Sequence, residues 1–131
     1  MPGQAPRVLI ADDPDIRAVL VAQLGDRFEV VGAAADTDEA IALAAERRPD
    51  VAIVDVQMPG GGGLRATHEI GEASPGTTIV ALSADESERV VLDMLRAGAV
   101  AYIRKGVGTD ELAALLHEAL RAHAKLPAEG A

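Results

Sequence analysis

The sequence contains no cysteine and no tryptophan, and its aromatic side chains are limited to Phe28 and Tyr102. The lack of cysteine excludes a disulfide framework, a thiolate metal site and a cysteine nucleophile, and it favours an intracellular protein. Because aromatic residues are so few, the core has to be filled by Ala, Val, Leu and Ile. A lone tyrosine in such a chain invites a functional interpretation beside the packing one.

Basic residues are scarce as well. Twelve Lys and Arg face 21 Asp and Glu, and the formal net charge of -9 argues against direct binding of nucleic acid or of an anionic membrane. The amino terminus lacks the basic start and the apolar stretch of a secretory signal, and no run approaches the roughly 18 apolar residues of a membrane span. We therefore expect a cytoplasmic protein.

Short apolar runs rich in β-branched residues are typical of buried strands, and the length of 131 residues fits one domain. Four such runs and one further strand are predicted. They cover residues 8–11, 28–34, 51–54, 78–82 and 100–103.

Apolar residues at helical spacing predict a helix after each strand. The five helices are predicted over residues 14–24, 38–48, 64–72, 85–97 and 109–123. Because strands and helices alternate, the right-handed crossover rule gives a parallel sheet that is covered on both faces. We predict an α/β fold, a doubly wound (βα)5 domain in the flavodoxin-like strand order 2-1-3-4-5.

Polar side chains directly follow four of the strands: Asp12 and Asp13, Asp55, Ser83 and Lys105. The carboxyl ends of parallel strands meet at one edge, where ligands of open α/β sheets bind. Carboxylates are ligands that suit Mg²⁺, and an aspartate can be phosphorylated. A lysine and a hydroxyl can neutralise and orient phosphoryl oxygens. These residues predict a site for a cation and a phosphoryl group, with Asp55 as the nucleophile because it follows the central strand.

Each of these residues also has an ordinary structural interpretation. Asp13 before Pro14 is a good helix cap, with proline in the first turn. Ser83 could cap the following helix, Lys105 could be a solvated surface residue, and Tyr102 could simply pack in the core. The sequence leaves these alternatives open.

Two other features have little functional weight. The run Gly60–Gly63 lacks the Gly-Lys-Ser/Thr ending of phosphate-binding loops. The three histidines have no metal-like spacing and are expected at the surface. They are His68, His117 and His123.

Taken in order, the motifs at the strand ends resemble the receiver domain of bacterial two-component response regulators. The segments that carry the resemblance are residues 8–13, 55–60, 82–84 and 97–105. The resemblance covers about residues 7–124, nearly the whole chain. Residues 1–6 are then expected to be a disordered segment, and residues 125–131 a tail or the stub of a linker.

The resemblance implies that Asp55 accepts a phosphoryl group from a sensor histidine kinase or a small phosphodonor. It also implies a Mg²⁺ ion held by Asp12, Asp13, the Asp55 carboxylate and the backbone carbonyl of Gln57. The protein would catalyse its own modification and process no metabolite.

The resemblance further implies a conformational switch. Ser83 and Lys105 would contact the phosphoryl oxygens, and Tyr102 would turn inward as Ser83 moves. The face formed by the fourth helix, the fifth strand and the fifth helix would then change shape for a partner protein or an output domain. The resemblance also leads us to expect that the protein dimerises on activation.

Two departures from the family pattern lead to an alternative. The chain is one residue short between the acidic pair and Pro14, so either the loop is shorter or Ala11 replaces the first acid and Asp12 becomes the main metal ligand. Gly61 and Gly62 stand where the family often has a larger residue followed by Asp or Asn. The alternative is a degenerate receiver that binds partners without phosphorylation; a small phosphatase has little support, because no general base accompanies Asp55.

Overall fold

Strands and helices alternate through the described residues, 5–84 and 87–124, of the computed structural model. The strands are β1 (Arg7–Ala11), β2 (Glu29–Ala34), β3 (Val51–Asp55), β4 (Thr78–Ser83) and β5 (Ala101–Arg104). The helices are α1 (Pro14–Leu24), α2 (Thr37–Arg47), α3 (Gly62–Ala73), α4 (Glu88–Ala97) and α5 (Thr109–Ala124). The strands form one parallel sheet in the order β2-β1-β3-β4-β5, which confirms the predicted fold and strand order.

The core has two parts because successive side chains of a strand point to opposite faces of the sheet. On one face, Val8, Ile53 and Leu82 pack with residues of α1 and α5. On the other face, Leu9 and Val54 pack with residues of α2, α3 and α4. All five residues of β3 are buried, as expected for the central strand of a sheet covered on both sides.

The strand register brings the carboxyl ends of four strands to the same edge. Ala11 pairs with Val54, and Asp55 pairs with Leu82. Ser83 pairs with Arg104 at the end of β5. The residues that follow these pairs therefore share one edge of the sheet, and they include the polar residues predicted from the sequence.

Helix α4 begins three residues later than the sequence suggested. Ser87 has an extended backbone, and its hydroxyl accepts a hydrogen bond from the Val90 N–H at 3.4 Å, so the helix begins at Glu88. Asp85 and Glu86, where the helix was predicted to start, lie outside the described residues. Ser83 is the last residue of β4 and does not cap α4.

The chain ends are described in part. The carbonyl of Pro6 accepts a hydrogen bond from the Glu29 N–H at 2.9 Å, so the strand pairing of this edge extends one residue before β1. Of the disordered segment predicted over residues 1–6, positions 1–4 lie outside the described residues, as does the predicted tail 125–131.

The outer surfaces of the helices carry the histidines. His68 and His117 are exposed, as predicted. His123 is half-buried instead, because its Nδ1 lies 2.7 Å from the Thr78 hydroxyl at the start of β4. None of the helices in the described part of the chain has the length and hydropathy needed to cross a membrane.

Candidate functional site

One ammonium group joins the two carboxylates that follow β1 and end β3. Lys105 Nζ lies 3.3 Å from each oxygen of Asp12 and 3.3 Å from Oδ1 of Asp55. The side chain of Asp12 is fully buried and that of Asp55 is 11% exposed. The lysine follows β5, and its own N–H donates to the Ser83 carbonyl at 3.0 Å, which fixes its backbone to the end of β4.

Lys105 balances part of the negative charge of this cluster. Burial raises the pKa of Asp12, and the nearby charge of Asp55 raises it further, although the Asp13 N–H and Lys105 act in the opposite direction. Burial alone would lower the pKa of Lys105, but the two carboxylates outweigh it and raise that pKa. Lys105 therefore stays charged and compensates carboxylates that would otherwise repel each other.

Asp13 has a different environment from its neighbour Asp12. It is exposed, and its carboxylate accepts a hydrogen bond from the Ile16 N–H at 3.0 Å, which caps α1. This hydrogen bond lowers the pKa of Asp13. Pro14 in the first turn of the helix fixes this arrangement, so the cap signal in the sequence was correct.

The grouping of three carboxylates expected from the sequence is not present. Within the described residues, no three acidic or histidine side chains lie close enough together to hold one ion. The carboxylates at the sheet edge are therefore the pair Asp12 and Asp55. The structure shows Ala11 as a buried strand residue and Asp12 as the first acid of the edge.

The pair still fits Mg²⁺, which commonly uses one or two carboxylates and keeps several waters. Oδ2 of Asp12 is buried, and its ion pair with Lys105 Nζ at 3.3 Å lacks hydrogen-bond geometry. A buried carboxylate oxygen with one long ion-pair contact can accept a further cationic partner, and a metal ion would supply it. The donor set is oxygen only, which suits a hard ion better than zinc.

The peptide after Asp55 completes this edge. The Gln57 N–H donates to Oδ1 of Asp55 at 3.2 Å, so the Gln57 peptide lies beside the carboxylate. At Gly63, a Cβ atom would lie 2.7 Å from both the Asp55 carbonyl oxygen and the Val56 Cα. Only glycine allows α3 to begin this close to the end of β3.

Ser83 and Tyr102 lie on the neighbouring strands. Ser83 is buried at the end of β4. Tyr102 is half-buried and packs against the core shared with α2, α3 and α4. Its hydroxyl is buried and has no hydrogen-bond partner among the described residues. The tyrosine ring is therefore directed inward rather than toward solvent.

Two residues near the site were missed by the sequence reasoning, Arg65 and Thr37. The Thr37 N–H donates to the Pro59 carbonyl at 2.9 Å, and Arg65 donates to the Gly60 carbonyl at 2.7 Å. The spacing of Arg65 and Glu69 is a local signal for a helix surface pair. No sequence signal connects α2 with the glycine loop.

Comparison with known proteins identifies the family of this chain. The sequence profile of the response regulator receiver domain matches residues 8–117. The chain belongs to the response regulator receiver domain family. This confirms the resemblance inferred from the strand-end motifs. Receiver domains take part in phosphorylation-dependent signalling in two-component systems, and they are signalling proteins rather than classical enzymes.

Curated relatives of this receiver domain are longer proteins. The response regulator GacA of Pseudomonas viridiflava is 38% identical over 109 residues, which is 81% of this chain and 51% of the relative. The transcriptional regulatory protein YxjL of Bacillus subtilis is 39% identical over 123 residues, which is 90% of this chain and 56% of the relative. The chain therefore spans about half the length of the curated relatives that it matches.

Solved structures agree with the receiver fold. A two-component response regulator of the LuxR family from an Aurantimonas species superimposes with a TM-score of 0.84 at 29% identity, covering 91% of this chain and 87% of that one. A CheY-like receiver domain protein from Methanospirillum hungatei superimposes with a TM-score of 0.81 at 26% identity, covering 93% and 98%.

Proposed function

We propose that this receiver domain, taken as residues 7–124, is a phosphorylation switch in which Asp55 is the phosphoacceptor. The observation that supports this proposal most strongly is the ammonium of Lys105 at 3.3 Å from the carboxylates of both Asp12 and Asp55. A strand-end aspartate beside a buried acid and a charged lysine is suited to phosphoryl transfer, which depends on positioning and charge neutralisation.

In the proposed reaction, a carboxylate oxygen of Asp55 forms a bond to phosphorus. At the same time the P–N bond of a phosphohistidine, or the P–O bond of acetyl phosphate, breaks, and the bonding electrons leave with the imidazole or the acetate. Lys105 moves from the carboxylates toward the new phosphoryl oxygens, whose charge it neutralises. Ser83, at the end of the neighbouring strand, donates its hydroxyl to the same group.

Receiver domains generally use Mg²⁺ for phosphorylation. In this chain the ion would be held by Asp12, Asp55 and the backbone carbonyl of Gln57. Asp13 would become a further ligand only if its carboxylate gave up the hydrogen bond that caps α1. When bound, Mg²⁺ would neutralise the charge that develops on the phosphoryl oxygens. Oδ2 of Asp12, which is buried and accepts no hydrogen bond from the described residues although Lys105 lies 3.3 Å away, supports this assignment.

The switch would act through the surface formed by α4, β5 and α5. Movement of Ser83 toward a phosphoryl group would change the packing around Tyr102, which lies on β5, the strand paired with β4. Leu92 and Leu95 of α4 are 44% and 41% exposed, so the surface offers apolar area to a partner.

The proposed partners follow from the family and from the charge. Response regulators interact with sensor kinases and output domains. We propose that this domain acts in the cytoplasm, with a sensor histidine kinase as phosphodonor and an output domain or protein as target. Dimerisation on activation is part of this proposal. A net charge of -9 makes direct nucleic-acid binding by this chain unfavourable.

The test is the intact mass of the protein after incubation with acetyl phosphate, with and without Mg²⁺, compared with Asp55→Asn. We expect a metal-dependent gain of one phosphoryl group in the wild type and none in the variant. Circular dichroism of both proteins controls for folding. Stoichiometric labelling of a folded Asp55→Asn protein would refute the assignment.

The degenerate receiver is the second candidate, and the capping role of Asp13 favours it, because that role removes one of the three expected carboxylates from the site. It predicts a folded protein that takes up no phosphoryl group at any Mg²⁺ concentration. The same mass measurement therefore separates the two functions.

A further inference from the structure

The loop that follows the candidate phosphoacceptor is bound to α2 by Thr37, which donates to the Pro59 and Gly62 carbonyls, and one further side chain, Arg65, links it to both α2 and α3. Its guanidinium donates to the Gly60 carbonyl at 2.7 Å, to the Asp38 carboxylate at 2.8 Å and to the Glu69 carboxylate at 2.6 Å. Asp38 lies in the first turn of α2, whereas Glu69 lies one turn further along α3. A single arginine thus links the loop to both helices.

This loop needs such a link because its own sequence does not fix its shape. Gly60, Gly61 and Gly62 have φ angles of 93°, 113° and 76°, a region that favours glycine. Glycines lose more conformational freedom on folding than other residues, so ordering four consecutive glycines has a large entropic cost. Helix α3 also starts without a side-chain cap at Gly61. The contacts from α2 and α3 therefore carry the ordering of the loop.

The near end of the same segment contacts the phosphoacceptor. Gln57 donates its N–H to Asp55, and the Gly63 N–H donates to the Val56 carbonyl at 2.8 Å. The segment is thus held at its start by Asp55 and β3, and at its far end by Arg65 together with Thr37. Displacement of Gly60 would therefore shift the backbone carbonyl of Gln57, which is the candidate metal ligand.

We propose that Arg65 is a positioning residue for phosphorylation: by holding the Gly60 carbonyl against α2 and α3, it keeps the Gln57 peptide in place beside Asp55. This inference rests on the proposed function, since it assigns Arg65 a part in that same site. Charge-assisted hydrogen bonds to a fixed carbonyl and two carboxylates are among the stronger protein hydrogen bonds. The two carboxylates also raise the pKa of Arg65.

The lysine variant would not replace this arginine. A guanidinium offers several donors in a planar fork, whereas an ammonium is a compact point charge, so Arg65→Lys can keep the charge without reaching all three acceptors. We expect Arg65→Lys to lie between the wild type and Arg65→Gln in every measurement. Arg47→Gln is the matched control, because Arg47 also donates from an exposed helix to a backbone carbonyl, that of Val31, away from the site.

The first measurement is amide hydrogen exchange, in the metal-free protein, of Gln57 and Gly63, whose N–H groups donate to the Asp55 carboxylate and to the Val56 carbonyl. We expect Arg65→Gln to raise the exchange rates of these amides by about tenfold, with the amides of β3 and β4 unchanged. Arg47→Gln should leave the loop at wild-type rates. Equal acceleration over the whole chain would indicate a general loss of stability and would overturn the proposal.

The second measurement is the Mg²⁺ dissociation constant, followed by the rate of labelling with acetyl phosphate at limiting and at saturating Mg²⁺. Arg65→Gln should bind Mg²⁺ about tenfold more weakly, since loss of a residue that supports a metal ligand typically lowers metal affinity by about 10- to 100-fold. Wild-type Mg²⁺ affinity in Arg65→Gln would overturn the positioning role. A wild-type protein that is never labelled would refute the proposed function, while the exchange rates of the metal-free protein would still decide whether Arg65 holds the loop.

Discussion

At the scale of single residues, Asp12 and Asp13 are adjacent in sequence but differ in environment. Asp12 is buried beside Lys105, whereas Asp13 is exposed and caps α1. We expect Asp12→Asn to weaken Mg²⁺ binding by at least about tenfold. Asp13→Asn should keep both the cap and the Mg²⁺ affinity, because asparagine caps helices as well as aspartate.

Isothermal titration with Mg²⁺ and thermal melts of both variants test this assignment. Asp13→Ala is a further variant for the thermal melts. It removes the cap of α1 and should lower the melting temperature by about 3–6 °C. Equal losses of Mg²⁺ affinity in Asp12→Asn and Asp13→Asn would contradict the assignment of Asp13 to the cap.

Gly63 and Gly71 give a matched pair on one helix. A Cβ at Gly63 would meet backbone atoms of Asp55 and Val56 at 2.7 Å, while a Cβ at Gly71 would meet nothing within 4 Å. Gly63→Ala should therefore destabilise the protein by ~1–3 kcal/mol through backbone displacement and should slow labelling of Asp55.

Gly71→Ala should stabilise the protein by ~0.5–1 kcal/mol, because alanine is the better helix former, and it should leave labelling unchanged. Urea unfolding and the mass assay measure the two effects. If Gly63→Ala had the labelling rate and stability of the wild type, the start of α3 would not be in close contact with the end of β3.

The sequence predicted only part of the site at this scale. Asp55 and Lys105 could be placed together because each follows a buried strand of a parallel sheet. The position of Asp13 followed from its cap signal, but that signal competed with its place in an acidic pair. Arg65 could not be found, because it meets Asp38 across 27 residues and the contact depends on how α2 packs against α3.

At the scale of elements, α5 is held to the sheet by leucines that point inward. Leu116 has no exposed surface, whereas Leu92 on α4 is 44% exposed. Leu116→Ala should reduce the free energy of unfolding by ~2–5 kcal/mol, since it leaves a cavity. Leu92→Ala should change it by less than ~0.5 kcal/mol, and chemical denaturation separates the two. A loss in Leu92→Ala as large as that in Leu116→Ala would contradict the assignment of α4 as an exposed partner surface.

The alternation of strands and helices was predictable because buried parallel strands are short, apolar and followed by turn signals. The bounds of α1 matched the prediction, since Pro14 and the Asp13 cap mark its start unambiguously. The start of α4 did not match the prediction. Ser83 and Ser87 are both good cap residues, and only packing decides between them. Ser83 ends a buried strand, which leaves Ser87 as the cap.

At the scale of the whole molecule, one sheet edge brings together residues that are far apart in the chain. Asp12 and Lys105 are separated by 93 residues, and their contact exists only because β1, β3, β4 and β5 end at the same edge. The doubly wound topology is therefore the physical cause of the site. Both the family assignment and the cluster of Asp12, Asp55 and Lys105 support the proposed phosphorylation switch centred on Asp55.

The measurement that tests this account most directly is the position of the phosphoryl group. After labelling with acetyl phosphate and Mg²⁺, borohydride reduces an aspartyl phosphate to homoserine, which peptide mass spectrometry can locate. We predict homoserine at position 55 in the wild type and none in a control without phosphodonor. Homoserine at another acidic residue, with Asp55 unmodified, would contradict the account.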